Sequence, residues 1–411
     1  MEEMHKEKDS IIVGAVISEF NPFHNGHEYC IKKLREAGAT HIVCIMSGCF
    51  VQRGEAACLT PYARAEMAVE SGADLVVELP VCYSLSSAEN FAMGSVAIAE
   101  FSGCVDLLGF GAECSEEEFK KAYDIILYAT ENECEKINEK MEKGMPYPVA
   151  LQKTTEEISG CDMNFLSDGN NVLALNYIMS LDKLNSKIKP YFIKRNGSSH
   201  DSLEADKSGR VSASFIRKLI AENKISELEN YMPKAAYKIF KRECKEGRFF
   251  SNGIEQALLY KLRMSDISDF LAINEIGRQG LAERMMKYKD AESLDIYLDS
   301  VKTKRYPMAR IKRHILSLAL GINSETAHIL PQYGKILAFN KKGTEILKEV
   351  KKNSSIPFST SLAKLENINE KAKSLAIKDA KAYALYTLGL EKKFKGSMAY
   401  SQKISIRENS K

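Results

Sequence analysis

The segment IIVGAVISEFNPFHNGHEYC (residues 11–30) joins the two periodicities that decide the fold. Its first half, IIVGAVISEF (11–20), is a nearly continuous apolar run, which is typical of a strand covered on both faces. From Asn25 the pattern is helical as far as Ala37, and Gly38 follows as a helix-ending residue. A buried strand that leads directly into a helix predicts one unit of a parallel α/β sheet.

The strand-then-helix unit recurs along the first 235 residues. Further apolar runs predict strands at 40–48, 74–80, 105–113 and 188–195. A helical insertion is expected over roughly 115–185, and a short helix near Ser214 is expected to close the domain. Repeated units of this length predict a parallel sheet with right-handed crossovers, which is an α/β doubly wound, Rossmann-like fold. Such a domain binds its ligands at the carboxyl ends of its strands.

Local signals mark where the predicted helices begin. Thr60 precedes a proline and is expected to cap a helix that starts there. Ser86 with Glu89, and Ser115 with Glu118, have the spacing of capping boxes. These signals place helices after the second, third and fourth predicted strands, as the repeated unit requires.

The pattern changes from about residue 235. Strand-like runs disappear, and helical periodicity with many lysine and glutamate residues takes over. The chain is too long for one domain of ordinary size. We therefore predict an α/β domain over residues 1–235 and a mainly α-helical, basic domain over residues 236–411.

Composition excludes several classes of protein. The formal net charge is +3, so any nucleic-acid role requires local clustering of basic residues. No apolar run is long enough to span a bilayer, and the charged first ten residues predict no signal peptide. The ten cysteines form no CxxC pair, which favours reduced thiols in a cytoplasmic protein over disulfides or structural zinc.

The loop between the first strand and its helix carries residues suited to phosphate chemistry. His24, Asn25, Gly26 and His27 stand at the helix start, where N–H groups and the helix dipole attract anions. Two imidazoles can donate hydrogen bonds to phosphoryl oxygens there, and Gly26 would let a ring or phosphate approach the backbone. The alternatives are histidines that only cap or pack, and a metal site of His24, His27 and Cys30, although no distant ligand stands out.

A second segment, VSASFIR (211–217), lies far downstream and complements HNGH. Hydroxyl groups at a helix start can hold phosphates, and an arginine adds charge. The two segments together resemble the HxGH and ISSTxIR motifs of the HxGH nucleotidyltransferase superfamily. Ala213 replaces a hydroxyl residue of that pattern, so the resemblance extends only to Ser212, Ser214 and Arg217.

Other segments resemble the bacterial tRNA(Met) cytidine acetate ligases more closely. The resemblance is carried by MSGCFVQRGEAA (46–57), ADLVVELP (73–80), FAMGSVAI (91–98), LLGFGAE (107–113), NNVLALNYI (170–178), IKRNGSSHDS (193–202), VSASFIRK (211–218) and KTKRYPMARIKRHI (302–315). It covers most of the chain, and MSGxFxQRGE is specific to this family. It implies an ATP-binding catalytic domain followed by a tRNA-binding domain.

The resemblance also implies a reaction. Acetate would be activated by ATP as acetyl-adenylate, and the wobble cytidine of elongator tRNA(Met) would become N4-acetylcytidine, with release of AMP and pyrophosphate. ATP would be a substrate accompanied by Mg²⁺, with no tightly bound cofactor, no membrane and no obligate protein partner. The alternatives are a small-molecule adenylyltransferase of cofactor biosynthesis, which shares the first step, and a tRNA-binding protein with a degenerate nucleotide site.

Residue roles follow from the same resemblance. His24, His27 and Arg217 would be catalytic. The ATP-binding residues would be Ile17, Ser18, Glu19, Phe20, Asn21, Pro22, Phe23, His24, Asn25, Gly26, His27, Glu28, Tyr29, Cys30, Gly111, Asn170, Arg195, Ser212 and Ser214. The alternatives are purely structural roles: a turn glycine at 111, a helix cap at Asn170 or Asn171, and a surface arginine at 195.

Two further segments are open to more than one interpretation. Gln52-Arg53-Gly54-Glu55 would face acetate or RNA, or else form an Arg53–Glu55 surface contact. The tRNA-binding residues would be Lys302, Lys304, Arg305, Arg310, Lys312 and Arg313. A solvated basic face is the alternative there, although the helical region shows no catalytic residues of its own and phosphate contacts suit its charge.

Overall fold

The computed structural model describes residues 11–145, 147–163, 166, 168–194, 211–251, 253–273, 275–276, 280–402 and 404–407. The strands are β1 Val13–Ser18, β2 His41–Ser47, β3 Phe50–Val51, β4 Glu55–Ala56, β5 Leu75–Leu79, β6 Leu107–Ala112, β7 Lys189–Lys194, β8 Gly334–Asn340, β9 Phe358–Ser359 and β10 Ser405–Arg407.

Helices alternate with the strands in the first half of the chain and dominate the second half. The helices are α1 Asn25–Glu36, α2 Pro61–Glu70, α3 Val81–Ser84, α4 Ala88–Phe101, α5 Glu116–Asn132, α6 Cys134–Glu142, α7 Tyr147–Ser159, α8 Gly169–Lys183, α9 Ala213–Ala221, α10 Lys234–Lys245, α11 Glu255–Met264, α12 Ile267–Leu271, α13 Leu281–Lys287, α14 Leu294–Val301, α15 Met308–Leu320, α16 Ser324–Ala327, α17 Lys341–Asn353, α18 Leu362–Glu366, α19 Glu370–Leu388 and α20 Met398–Ser401. A 3₁₀ helix covers Ile225–Asn230.

The central sheet has the strand order β10-β8-β5-β2-β1-β6-β7, and β9 pairs with β8 beside this path. From β5 to β7 all neighbours are parallel. The chain moves outward from β1 through β2 to β5, then returns to the other side of β1 for β6 and β7. The strand order therefore reverses between β1 and β6, where ligands bind in doubly wound sheets. The predicted α/β doubly wound fold is confirmed.

The apolar strands supply both faces of this sheet. In β2, Val43 and Ile45 belong to a core that includes residues of α4 to α8 and α17. Cys44 and Met46 point to the opposite core, which includes α1, α2 and much of the C-terminal helical region. Alternation of apolar side chains on both sides explains why β2 is an unbroken apolar run, as in strands buried on both faces.

Strand β8 departs from the sequence-based prediction. The absence of strands after residue 235 was wrong, because Gly334–Asn340 pairs antiparallel with β5, with Val76 opposite Ala338. Both β9 and β10 extend the sheet from β8. The short run KILAFN was overlooked because its partner strand lies far upstream, so no local signal distinguishes it from a buried helical segment. A mainly helical second half is confirmed, and the functional boundary near residue 235 stays a prediction.

Two predicted helix starts are confirmed and one is shifted. Thr60 caps α2, and Ser115 with Glu118 forms the capping box of α5. Ser87, not Ser86, caps α4, because the hydroxyl of Ser86 donates to the carbonyl oxygen of Tyr83 instead. Within the described part of the chain, no helix combines the length and apolarity needed to cross a bilayer.

Candidate active site

A cavity of about 240 Å³ lies where β1 and β6 end, at the point where the strand order reverses. Its described lining is Val16, Ile17, Ser18, Glu19, Phe20, Asn21, His24, Gly26, His27, Tyr29, Cys30, Gln52, Arg53, Phe91, Gly109, Phe110, Gly111, Asn170, Leu173, Tyr177, Ile193, Val211, Ser212, Ala213, Ser214 and Arg217. The two motif segments, far apart in sequence, therefore meet in one cavity.

Two helix starts contribute to this lining. Helix α1 begins after the capping residue His24, and α9 begins after Ser212, whose hydroxyl accepts from the N–H of Phe215. The amino end of a helix carries partial positive charge and N–H groups that attract anions. The cavity is therefore suited to a polyanionic ligand such as a triphosphate.

Backbone hydrogen bonds fix the tautomers of both histidines. The N–H of Gly26 donates to Nδ1 of His24 at 3.1 Å, and the N–H of His24 donates to Nδ1 of His27 at 3.2 Å. A ring nitrogen that accepts a hydrogen bond does not carry the hydrogen, so each neutral imidazole holds it on Nε2. The rings stack with centroids 3.7 Å apart. Both side chains can therefore donate from Nε2 to phosphoryl oxygens.

Gly26 makes room for the ring of His24. A Cβ at residue 26 would lie 2.9 Å from Cε1 and 3.0 Å from Nδ1 of that ring. The sequence-based explanation was that glycine admits a ligand ring or phosphate. The structure shows that the capping imidazole itself needs the space.

Phe20 packs against the imidazole of His27. Its ring is fully buried and packs edge-on against the His27 imidazole, with centroids 4.9 Å apart. Its backbone has φ of 45°, in the left-handed region that aromatic residues rarely occupy. A strained residue at the end of β1 thus turns the chain sharply and fixes the orientation of a site histidine.

Arg217 links the two motif segments. One guanidinium nitrogen donates to the carbonyl oxygen of Asn21 at 3.0 Å, and another donates to the hydroxyl of Ser214 at 3.2 Å. The guanidinium is thereby held at the cavity wall beside the loop that follows β1. Positive charge at this position can stabilise negative charge on a transferring phosphoryl group.

Arg64 is a fully buried arginine that sequence reasoning missed. It donates hydrogen bonds to the carbonyl oxygens of Leu59, Glu19 and Gly48. The carbonyls of Glu19 and Gly48 come from the loops that follow β1 and β2, and that of Leu59 lies just before α2, so one side chain on α2 fixes both loops at the cavity. Its position inside a predicted helix offered no local signal of this role.

Glu19 is the only carboxylate among the described residues that line the cavity. The N–H of Gln52 donates to its Oε1 at 2.9 Å. Burial raises the pKa of Glu19 above its ordinary value, although the Gln52 N–H and the nearby Arg217, Arg53 and Arg64 oppose this shift. The cavity therefore contains one partly exposed carboxylate that lies close to three arginine side chains.

The QRGE segment forms the turn of the β3–β4 hairpin. Gln52 and Arg53 line the cavity, whereas Glu55 forms an ion pair with Lys312 of α15 at 2.8 Å instead of the surface contact with Arg53. Gly54 has φ of 73°, and a Cβ there would lie 2.5 Å from the backbone nitrogen of Arg313. The hairpin turn is thus held between the cavity and α15.

Most of the predicted ATP-binding residues lie at the cavity. Those on its lining are Ile17, Ser18, Glu19, Phe20, Asn21, His24, Gly26, His27, Tyr29, Cys30, Gly111, Asn170, Ser212 and Ser214. Pro22 and Phe23 are buried away from it, Glu28 is exposed, and Asn25 donates to the carbonyl oxygens of Asn230 and Tyr231. Arg195 lies outside the described residues.

The alternatives at Asn170 and Asn171 are separated by the structure. The helix cap is Asp168, so neither asparagine caps α8. Asn170 lines the cavity, whereas Asn171 is buried and its Oδ1 accepts from the N–H of Glu113 at 3.0 Å. Gly111 lies within β6 and on the cavity wall, not in a turn. Asn170 is therefore the better candidate for contact with ATP.

Several lining residues were not predicted from the sequence. Leu173 and Tyr177 follow Asn170 on α8 at positions three and seven residues later, so helical spacing alone places all three on one face. Phe91 on α4 and Phe110 on β6 had no comparable signal. Burial raises the pKa of Tyr177, so its phenol remains protonated at neutral pH.

The predicted tRNA-binding residues divide into two groups. Lys302 and Lys304 are exposed, and Arg305 is partly exposed. The other three contact the protein: Arg310 donates to the carbonyl oxygen of Glu275, Lys312 pairs with Glu55, and Arg313 donates to the carbonyl oxygen of Gln52. Burial lowers the pKa of Arg310 and Arg313.

In the described ranges, no group of three His, Cys, Asp or Glu residues is arranged to hold a metal ion.

Comparison with known families identifies relatives over nearly the whole chain. The family model for HIGH Nucleotidyl Transferase matches residues 12–398. A tRNA(Met) cytidine acetate ligase from Clostridium perfringens is 34% identical over 391 residues, which cover 91% of this chain and 94% of that protein. The enzyme of the same name from Caldanaerobacter subterraneus subsp. tengcongensis is 34% identical over 385 residues, with the same coverage.

Solved structures show the same fold. The apo crystal structure of Thermotoga maritima TmcAL superposes with a TM-score of 0.90 at 28% identity, covering 97% of this chain and 100% of that chain. A crystal structure of the same protein bound with alpha-thio ATP superposes with a TM-score of 0.88. The similarity therefore includes both halves of the chain and the sheet that joins them.

Proposed function

The chain belongs to the HIGH nucleotidyl transferase family and, within it, to the tRNA(Met) cytidine acetate ligases, and on this premise we propose that it joins acetate to a cytidine of tRNA(Met) with cleavage of ATP. The acceptor is the wobble cytidine of elongator tRNA(Met), and the product is N4-acetylcytidine. AMP and pyrophosphate are released. The ATP analogue bound by the Thermotoga maritima protein supports ATP as the nucleotide substrate.

Two chemical difficulties explain why ATP is required. Acetate is a poor electrophile, because it is an anion without a good leaving group. The exocyclic amine of cytosine is a poor nucleophile, because its lone pair is delocalised into the ring. Attack of acetate on the α-phosphorus of ATP expels pyrophosphate and gives acetyl-adenylate, whose acetyl carbon the amine can attack. This route forms no covalent enzyme intermediate.

We assign the first step to His24, His27 and Arg217. Negative charge grows on the phosphoryl oxygens as acetate attacks and pyrophosphate leaves. The Nε2–H groups of the two imidazoles and the guanidinium lie on the same cavity and can stabilise that charge. Their positions are fixed before ATP arrives, because backbone groups hold all three side chains.

The other predicted ATP-binding residues are proposed from their positions. The helix starts at Gly26 and Ser212 face the phosphates, and Asn170 and Gly111 contact the nucleoside portion. Mg²⁺ would enter with ATP and be held mainly by phosphate oxygens, since the described lining contributes one carboxylate. No separate cofactor is required, and a cytoplasmic location suits a tRNA substrate.

We propose that Lys302 and Lys304, which are exposed, and Arg305, which is partly exposed, contact the tRNA backbone. Lysine and arginine side chains on a surface with access to solvent can neutralise phosphates. The described contacts of the other three predicted residues are with protein atoms. Lys312 and Arg313 would instead hold α15 against the β3–β4 hairpin. Arg310 would hold it against the segment that contains Glu275. The anticodon loop is single-stranded, so the wobble base can enter a cavity without melting a duplex.

The meeting of HNGH and VSASFIR in one cavity, linked by Arg217, carries this proposal. The test is acetate-dependent exchange of pyrophosphate into ATP, followed by acetyl transfer to tRNA(Met). We expect exchange with acetate alone and N4-acetylcytidine only when tRNA(Met) is present. Exchange with a phosphorylated cofactor precursor but none with acetate would instead identify a small-molecule adenylyltransferase.

A further inference from the structure

The second chemical step releases a proton that the first step does not. When the cytosine amine attacks the acetyl carbon, its nitrogen gains positive character and must lose a proton to give a neutral amide. A group at the reacting atoms that accepts this proton contributes substantially to the rate of such reactions. The residues assigned to ATP activation leave this role unfilled.

Neither motif histidine is suited to accept the proton. Each receives a backbone hydrogen bond at Nδ1, which places its own hydrogen on Nε2. Both imidazoles therefore act as donors toward the cavity. The phenol of Tyr177 also retains its proton, because burial raises its pKa.

Glu19 has the properties that the histidines lack. It is the only carboxylate on the described lining, and the hydrogen bond from the Gln52 N–H fixes one of its oxygens. Within the described ranges, no residue donates a hydrogen bond to its other oxygen. A carboxylate repels a triphosphate, so contact with the phosphates does not account for an acid in this cavity.

We infer that Glu19 accepts the proton of the cytosine amine during acetyl transfer. The amine nitrogen forms a bond to the acetyl carbon, and the bond between that carbon and the phosphate oxygen breaks with its electron pair on AMP. The N–H bond releases its proton to the Glu19 carboxylate and leaves its electrons on nitrogen. Glu19 later returns the proton to water. The inference rests on the proposed function.

The surroundings of Glu19 favour a carboxylate that is more basic than an ordinary glutamate. Burial raises its pKa, which makes the carboxylate more basic, while the Gln52 N–H and the nearby arginines oppose this shift. A general base is most effective when its pKa approaches the working pH. The backbone carbonyl of Glu19 is held by Arg64, so the residue is fixed at the cavity wall.

The test compares the two chemical steps in Glu19→Gln. Glutamine keeps the acceptor for the Gln52 N–H and removes the base. We expect acetyl transfer to saturating tRNA(Met) in a single turnover to fall about 100-fold or more, and acetate-dependent pyrophosphate exchange, which needs no proton acceptor, to fall much less. Transfer to hydroxylamine, a stronger nucleophile that can lose its proton to water, should be largely retained.

Two other variants and a pH profile complete the test. Glu19→Asp keeps a carboxylate and should recover part of the transfer rate, and Glu36→Gln, on the solvent-exposed end of α1, is the matched control. The parent transfer rate should rise with pH as Glu19 ionises, with a midpoint above the ordinary glutamate value, and Glu19→Gln should lack this limb. If Glu19→Gln does not fold, the transfer rate of Glu19→Asp and the pH profile of the parent enzyme test the inference.

The results of these assays distinguish failure of the Glu19 inference from failure of the proposed function. Unchanged tRNA acetylation in Glu19→Gln would overturn the inference and indicate that an adenylate oxygen takes the proton. Equal loss of exchange and transfer would also overturn it, because it would place Glu19 in ATP binding. Absence of acetate-dependent exchange in the parent enzyme would contradict the proposed function itself, independently of Glu19.

Discussion

At residue scale, a single backbone hydrogen bond determines what each site histidine can do. The chain accepts its own capping hydrogen bonds at Nδ1 of His24 and His27, so Nε2 of each ring is a donor. The same contacts cap α1, which means that helix stability and phosphate chemistry share one pair of side chains. A substitution can separate these functions, because asparagine and glutamine place their amide groups at different distances from the backbone.

We therefore predict opposite effects for two amides at His27. Asparagine places an oxygen near the position of Nδ1, so His27→Asn should keep the cap but lose the donor. Pyrophosphate exchange should fall about 10²- to 10³-fold, the usual cost of removing one such donor. Glutamine places an N–H near the position of Nε2, so His27→Gln should retain more activity while the melting temperature falls. Exchange assays and thermal unfolding of the two variants measure both quantities.

Higher activity in the asparagine variant than in the glutamine variant would contradict this assignment of tautomers.

Most of the site residues that sequence reasoning found stand in short motifs at or next to helix starts, whereas Gly111 lies within β6. Glu19 was found only as a member of such a motif, without its role. Arg64 was missed because its hydrogen bonds to the carbonyl oxygens of Glu19 and Gly48, in two other loops, define its function, and no local pattern records them.

At the scale of elements, the β3–β4 hairpin depends on α15. Gly54 has φ of 73°, and a Cβ there would meet the backbone nitrogen of Arg313 at 2.5 Å and Cβ of Lys312 at 2.6 Å. Gln52, two residues earlier, donates to Glu19 and accepts from Arg313. The hairpin turn is thus a rigid connection between the helical region and the cavity.

Gly54→Ala should therefore cost more stability than its backbone angle alone explains. The left-handed conformation costs an L-residue about 1–2 kcal/mol, and overpacking against α15 adds about 1–3 kcal/mol. Gly160→Ala is the matched control, because its φ is 66° and a Cβ there would meet no described atom within 4 Å. Urea unfolding of both variants measures the difference. Equal destabilisation would mean that the hairpin moves aside without cost.

The connection between α14 and α15 carries a separate prediction about tRNA. Replacing the exposed Lys302 and Lys304 by alanine should weaken tRNA binding and leave pyrophosphate exchange intact. If each lysine contacts one phosphate, the slope of log affinity against log salt should decrease by about 0.7–0.9 per residue. The matched control replaces Lys120 and Lys136, which are exposed on the helical insertion. Equal loss of exchange and binding would contradict this division of roles.

Elements with a local signal were predicted from the sequence, and those defined by distant partners were not. The capping box of α5 and the buried strands β1 and β2 stand where periodicity placed them. Strand β8 was missed because its pairing with β5 is antiparallel and joins segments far apart in the chain. The QRGE hairpin was noted as a motif, but its position between the cavity and α15 depends on tertiary packing.

At the scale of the whole molecule, a buried charge network fastens the C-terminal region to the sheet. Lys335 of β8 forms an ion pair with Glu78 of β5 at 2.8 Å, and Tyr383 of α19 donates to the same carboxylate. Asp379, one turn earlier on α19, accepts from the hydroxyl of Tyr333 at 2.6 Å and from the N–H of Val81 at 2.8 Å. Buried ionised groups need partners of this kind, so the sheet and α19 are expected to unfold together.

This network predicts how stability depends on pH. Burial, followed by the Glu78 carboxylate, raises the pKa of Asp379 to about 7 from an ordinary value of 3.8. Between these values the folded protein keeps a proton that the unfolded chain loses. The contribution of Asp379 to stability is therefore full below the ordinary value and is lost as pH rises toward 7, at up to about 1.4 kcal/mol per pH unit.

Asp379→Asn removes this dependence, because the amide resembles the protonated acid and keeps an oxygen for the Val81 N–H. The parent should lose stability relative to the variant as pH rises from about 4 to 7, and the difference should be constant above that range. Urea unfolding across the range measures it, with Asp295→Asn, on the exposed face of α14, as the control. If the two stability curves stay parallel, Asp379 is already ionised in the folded protein, and Lys335 must compensate two carboxylates instead of one.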